Sequence, residues 1–224
     1  MKVEIWSDVM CPFCYIGKRR FEQALEKFDH NTDIKIEWRS FQLNPSMQTN
    51  PDASINEYLA DAKGWSVDQA RQMNQRVTNM AQEVGLTYDF DQAVVANSFD
   101  AHRLIQFAKT MDKGDQAEEA LFHAYFTGGK NIADHETLME IASEIGLEAD
   151  DVEAVLESDQ FANAVKHDIE IAKGLDIKGV PFYLFDRKYA VSGAQETEIF
   201  LKALNQAYGE WHEGAEKTAD LSSD

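Results

Sequence analysis

Two thiols stand three positions apart near the start of the chain, in Cys11-Pro12-Phe13-Cys14. They are the 2 cysteines of a 224-residue sequence, so every thiol it has is committed to this one stretch. The i, i+3 spacing lets one sulfur attack a disulfide and the other resolve the mixed intermediate, which makes thiol–disulfide exchange the leading chemistry. Cys11 is placed to open a helix, with Pro12 at the first helical position, where its missing N–H costs nothing. The unpaired N–H groups and positive dipole end of such a helix favour a thiolate and make its sulfur a good leaving group. Cys14 falls one turn further in, shielded from outside reagents. Cys11 is therefore the expected nucleophile and Cys14 the resolving thiol.

Two other uses of a Cys-x-x-Cys are weaker. A zinc site needs four ligands, yet no other cysteine exists and His30, His102, His123, His135, His167 and His212 form no closely spaced pair. No metal is expected. A structural disulfide at this spacing closes too short a loop to stabilise much. Lys18-Arg19-Arg20, one turn on, either adds positive potential or forms a solvated face paired with Glu22 and Glu26; the second reading is the plainer one. Glu4 and Asp8 are candidate proton acceptors for Cys14.

The elements that must hold these groups follow from periodicity. Val3 to Ser7 and Ile34 to Phe41 alternate as strands around a helix whose stripe is Phe21, Leu25 and Phe28. Strand, helix, strand implies a parallel pair with a right-handed crossover. Asn44-Pro45 and Asn50-Pro51 mark a loop. Helices are then expected over 55–62, 67–84, 99–111, 116–126, 136–145, 151–156 and 161–173. Gly85, Gly114, Gly128-Gly129, Gly146 and Gly174 read as helix stops, and Ser66 and Ser98 as N-caps. Met73, Met80, Phe99, Leu104 and Phe107 read as core of this helical stretch, and Asn97 and Asp100 as caps. Strands return at 180–185 and 188–191, and a helix over 196–208 closes the fold before a polar, frayed segment from Gly209, in which Trp211 can dock. Strands at both ends with helices between imply one sheet and a helical insertion.

The second informative place is Lys178-Gly179-Val180-Pro181-Phe182. Proline at a strand start is confined to first or edge positions. Gly179 and Pro181 suggest a tight, cis-compatible junction whose Val180 backbone groups can pair with an extended peptide; an ordinary start of a strand explains them equally well.

Taken together, these stretches resemble the DsbA family of the thioredoxin superfamily over nearly the whole chain, from Val3 to about Tyr208. CPFCYIGKRRF from Cys11, Phe41-Gln42-Leu43-Asn44-Pro45 and Asn97-Ser98-Phe99-Asp100-Ala101-His102-Arg103 are similar to its cytoplasmic FrnE-like branch. The resemblance implies an α/β thioredoxin-like fold with a large inserted α-helical subdomain: residues 1–48 and 158–210 as the thioredoxin-like part, 49–157 as the insertion and 211–224 as a polar tail. It implies dithiol–disulfide exchange and a cis Pro181 facing the cysteine pair. Pro12, Phe13, Val180, Pro181, Asn44, His102, Ala194 and Gln195 then become candidate substrate-binding residues. His102 would touch substrate or exchange a proton if its helix roofs the cleft; a structural or exposed histidine is the plainer reading. Phe13 replaces the histidine of the periplasmic oxidant, so strong oxidising power does not carry over. Kappa-class glutathione transferases and 2-hydroxychromene-2-carboxylate isomerases resemble the chain at Asn44, at Val180-Pro181 and in Ser192-Gly193-Ala194-Gln195. They carry Ser in place of Cys11, which argues for redox chemistry here. The rivals are a glutathione-dependent transferase or isomerase and a non-enzymatic redox-sensing chaperone.

A formal net charge of −19 disfavours nucleic acid and anionic membranes as partners. Met1-Lys2 runs straight into Val3-Glu4-Ile5-Trp6-Ser7-Asp8, too short and charged for a signal peptide, and no run of apolar residues is long enough to span a bilayer. The expected setting is the cytoplasm, where a catalytic disulfide is commoner than a structural one. The expected partners are thiol- or disulfide-bearing proteins or small molecules, with a thioredoxin-type reductant or glutathione as co-substrate. No other cofactor is implied.

Overall fold

A computed structural model describes residues 1–221. Strand β1 (Lys2–Ser7) feeds helix α1 (Pro12–Glu26), and a 3-10 turn (Asn31–Asp33) leads into β2 (Lys35–Ser40). β1 and β2 are parallel, with Ile5 opposite Trp38 and Ser7 opposite Ser40. The chain then leaves the sheet. It returns at β5 (Phe182–Phe185), antiparallel to β1 with Trp6 opposite Phe182, and at β6 (Tyr189–Ser192). The sheet order is β2-β1-β5-β6. β1 is interior, as its run of buried residues requires.

Between the two visits to the sheet lie β3 (Asn50–Ser54), α2 (Ile55–Lys63), α3 (Val67–Glu83), β4 (Val94–Val95), α4 (Phe99–Thr110), α5 (Gly114–Phe126), α6 (His135–Glu144), α7 (Ala149–Leu156) and α8 (Ala162–Gly174). The small ribbon β3–β4 was not expected: Pro51 reads as loop, and two valines are too short a run to announce a strand. Gly114 opens α5 and Gly174 ends within α8, so neither acts as a stop after a helix. Ser66 caps α3 in a reciprocal capping box with Gln69. Ser98 makes no cap bond; the Phe99 N–H donates to Asn97 Oδ1 at 2.9 Å instead.

Helix α9 (Thr197–Leu221) runs through Gly209, which corrects the expected frayed segment. One glycine costs a helix about 1 kcal/mol, and Trp211 packs its ring 5.5 Å from Tyr208. Residues 222–224 of the expected tail lie outside the described residues.

The odd residues of β1 face α1 and α9. Val3 and Ile5 join Phe21, Phe185, Phe200 and Leu204 in one core. The even residues face α8: Trp6 packs with Ala172 and Ile177, and its indole N–H donates to the Asp168 carbonyl at 3.1 Å. On that face Arg39 joins two buried carboxylates, Glu4 at 2.7 Å and Asp168 at 2.8 Å. The largest core lies in the helical layer, and it includes Cys11, Cys14, Tyr15 and Ile16 of the α1 segment. The helices between the strands thus pack directly on the segment that carries the thiols. Met73 is exposed and not part of that core, contrary to its expected place.

Candidate active site

Cys11 is the N-cap of α1, with extended backbone and no side-chain cap bond. Pro12 occupies the first turn. The Cys11 N–H donates to the Asp8 carbonyl at 2.8 Å, and the Cys14 N–H to the Cys11 carbonyl at 2.9 Å. These bonds fix the turn between β1 and α1 and so the direction of both thiols. Both cysteines are free thiols. Cys11 is 3% exposed and Cys14 1%. The pair differs more in position along the helix than in exposed area, so the expected contrast between an open and a shielded thiol is small. Burial, with the neighbouring Cys11 sulfur, pushes the Cys14 thiol well above its ordinary pKa; the Asp8 backbone and Ser7 hydroxyl oppose this.

The opposite wall is the segment before β5. Val180-Pro181 is a cis peptide. The Cys11 thiol lies 3.5 Å from the Val180 carbonyl oxygen. The Gly193 N–H donates to the Pro181 carbonyl at 2.8 Å, which ties the turn after β6 to the same wall. Ala194 belongs to that turn, and its carbonyl accepts from Arg20 at 2.8 Å. Gln195 is exposed and spends its amide on the Ser192 carbonyl. Gly17 permits the close packing: a Cβ there would sit 3.0 Å from Pro181 Cγ and 3.4 Å from Ala194 Cβ.

The remaining expected residues are placed as follows. Phe13 is 38% exposed beside the thiols. Leu43, just before the Asn44 loop, is 53% exposed. Asn44 donates to Tyr58 Oη at 2.8 Å and accepts from Ser46, so it holds its own loop. His102 is buried and faces Asp8, with Nε2 3.5 Å from Asp8 Oδ1. Its burial corrects the expectation of direct substrate contact. Burial lowers its pKa, but the Asp8 and Glu118 carboxylates outweigh this and raise it. Glu4 is an ion-pair anchor for Arg39 and Arg187, and is therefore withdrawn as proton acceptor. Asp8 accepts from the Leu43 and Met10 N–H groups, so its carboxylate is already engaged.

The basic run after the thiols is neither solvated nor aimed at Cys11. Lys18 is 3% exposed and pairs with Glu119 of α5 at 3.0 Å. Arg19 pairs with Glu22 and Glu119 and lies over the Tyr15 ring. Arg20 pairs with Glu196 at 3.0 Å. The run fastens α1 to α5 and to the start of α9.

Tyr88, Ser7 and Glu118 went unnoticed in the sequence. The Tyr88 hydroxyl donates to the Pro12 carbonyl at 2.8 Å and steadies the first turn of α1 from the helical layer. Neither a lone tyrosine in a loop nor a glutamate in an amphipathic helix carries a local signal. Gly17, six residues after Cys11, stood within the CPFCYIGKRRF stretch already singled out.

Residues 2–205 match the DSBA-like thioredoxin domain family. The chain belongs to this family. Among solved structures, this DSBA-like chain is similar to a probable DsbA oxidoreductase, SCO1869 from Streptomyces coelicolor. The two are 38% identical, with a TM-score of 0.89 over 94% of this chain and 91% of the other. The fold is shared with a 2-hydroxychromene-2-carboxylate isomerase, 16% identical, TM-score 0.66 over 99% of each chain. It is also shared with the cytosolic disulfide reductase DsbM from Pseudomonas aeruginosa in its structure with GSH. That protein is 15% identical, with a TM-score of 0.62 over 96% of this chain and 100% of the other. Among the described residues no cluster of three or more potential metal ligands occurs, and no helix is long and apolar enough to cross a membrane.

Proposed function

We propose that this protein is a thiol–disulfide oxidoreductase that uses Cys11 as nucleophile and Cys14 as resolving thiol. The observation that carries the reading is the facing of the Cys11 thiol and the Val180 carbonyl across 3.5 Å, with Cys11 at the N-cap of α1. The helix end stabilises negative charge on sulfur, as attack and departure both require. The Val180-Pro181 backbone offers an edge along which an extended substrate can lie beside its own disulfide. Phe13, next in sequence to the thiols, supplies exposed apolar surface.

In the reductive direction Cys11 sulfur attacks a substrate disulfide, expelling one substrate thiolate and forming a mixed disulfide. Cys14 then attacks Cys11, forming the internal disulfide and releasing the second thiolate. The substrate gains two electrons and the dithiol loses them. An external thiol, glutathione or a thioredoxin-type protein, regenerates the pair. The proposed substrates are proteins or small molecules bearing disulfides. The proposed setting is the cytoplasm, supported by a cysteine content spent entirely on the exchange pair. The FrnE-like motifs support placing the chain in that branch.

The test is disulfide reduction in the presence of a regenerating thiol, comparing the native chain with Cys11→Ser. The reading predicts turnover that Cys11→Ser abolishes. A glutathione-dependent isomerisation retained by Cys11→Ser, with glutathione raising thermal stability and no disulfide turnover, would replace it.

A further inference from the structure

The helical layer holds a cavity of about 440 Å³ whose lining includes neither thiol nor Val180-Pro181. Its size falls in the range of small-molecule sites. Three of its lining side chains are polar and buried: Asn56 of α2 is 3% exposed, Asn74 of α3 7%, and Tyr88, in the loop before β4, 6%. Asn74 donates to Asn56 Oδ1 at 2.8 Å, and Asn56 donates to Asp91 Oδ1 at 3.4 Å. Asn74 Oδ1 itself accepts no bond among the described residues. Leaving a buried acceptor open is costly, so a buried amide with a free oxygen in the wall of a cavity points to a polar occupant.

Arg71, Asp89 and Asp91 line the same cavity, and all three are exposed. Asp89 Oδ1 accepts from the Asp91 N–H at 3.1 Å, which holds the two acidic residues side by side. Among the described residues, none of the three charges is in an ion pair. One cation and two anions thus face one space without pairing across it. We propose that this cavity binds a small zwitterion: an α-amino acid or short peptide that also carries a carboxamide.

Each group of such a ligand has its counterpart. The carboxylate goes to Arg71, whose planar fork matches two carboxylate oxygens. The ammonium goes to Asp89 and Asp91, and the carboxamide donates to the open Asn74 oxygen. Other ligand classes meet an obstacle. The acidic pair repels phosphates, and Arg71 repels a bare metal cation. An apolar molecule would strip water from the buried amides and return no hydrogen bond. The site stands apart from the exchange chemistry yet borders it. Tyr88 lines the cavity, and its hydroxyl donates to the Pro12 carbonyl at 2.8 Å, so one side chain serves both the cavity and the thiol turn.

The test is an NMR titration of the isotope-labelled, reduced full chain with L-glutamine and with glycyl-L-glutamine, which present the three groups as a free amino acid and as a peptide. Saturable shifts at Asn56, Arg71, Asn74 and Tyr88 are expected, with a Kd of about 1 mM or below, and the tighter probe identifies the source. Arg71→Ala should weaken binding about tenfold or more, and N-acetyl-L-glutamine, which lacks the ammonium, should bind the native chain correspondingly less. Arg76→Ala, on the same helix but outside this lining, and Cys11→Ser should bind the probes as the native chain does. Asp89→Asn combined with Asp91→Asn carries the test if Arg71→Ala does not fold. No saturable shift with either probe up to about 10 mM, or native affinity in the charge variants, would overturn the site. Binding lost in Cys11→Ser would place the ligand at the exchange edge and overturn it as well. None of these outcomes depends on the exchange reading.

Discussion

The Cys11 thiol lies 3.5 Å from the Val180 carbonyl oxygen, across 169 positions of sequence. The pairing of Trp6 with Phe182 between β1 and β5 makes that meeting possible. β1 delivers the thiol turn, and β5 begins one residue after Pro181. The site is thus a consequence of two neighbouring strands in one sheet, with the helical layer packed against its thiol-bearing side.

Gly17 sets how close those walls come. An added Cβ would lie 2.7 Å from Tyr183 Oη and 3.0 Å from Pro181 Cγ. Gly17→Ala should destabilise the fold by about 1–3 kcal/mol, the usual cost of overpacking. It should also slow exchange, because Pro181 must give way. Urea unfolding and disulfide turnover check both. An unfolding midpoint equal to that of the native chain would show that the wall yields freely.

Glu118 makes stability depend on pH in an uncommon direction. Its ordinary value is 4.5 and burial raises it to about 7 in the folded chain. Between those values the folded form binds more protons than the unfolded one, so stability falls as pH rises through the window. The loss amounts to about 3 kcal/mol. His102, raised above 6.5, acts in the same sense: its contribution is complete below 6.5 and is lost as pH rises through its folded value. Glu119 behaves oppositely. Burial opposes its ionisation, but Arg19, Tyr15 and Lys18 hold it at about 2, so its contribution is lost only as pH falls below 4.5. Urea midpoints should therefore decline from about pH 5 to about pH 8, and Glu118→Gln should flatten that decline. A native midpoint that climbs over this interval would contradict the assignment.

Phe13 bears on redox poise. It is 38% exposed between the thiols and brings no charge or N–H to them. Phe13→His would add an imidazole able to stabilise the reduced, anionic pair. The reduction potential should become more oxidising by about 30 mV, a shift that equilibration in glutathione buffers of graded ratio resolves. An unchanged potential would mean that this side chain does not reach the sulfurs.

The sheet and the thiol site were legible in the sequence because their signals are local. Alternation marks β1 and β2, Pro12 marks the start of α1, and Val180-Pro181 announces the second wall. The run Lys18-Arg19-Arg20 was read correctly in its pairing with Glu22 but not in its burial, because its further partners, Glu119 of α5 and Glu196 just before α9, are distant in sequence. Glu118 was invisible for the same reason. It adjoins Glu119 in α5, yet one carboxylate is buried and the other is 32% exposed in an ion pair. Only tertiary packing separates them. The continuation of α9 past Gly209 likewise depends on Trp211 meeting Tyr208, a contact that helix propensity alone does not supply.

The central claim, that Cys11 attacks and Cys14 resolves, is tested most directly by trapping the intermediate. Cys14→Ser, reacted with a disulfide peptide and analysed by mass spectrometry, should accumulate a stoichiometric mixed disulfide on Cys11, and Cys11→Ser should accumulate none. A mixed disulfide on Cys14 in Cys11→Ser, with Cys11 left unmodified in Cys14→Ser, would contradict the account.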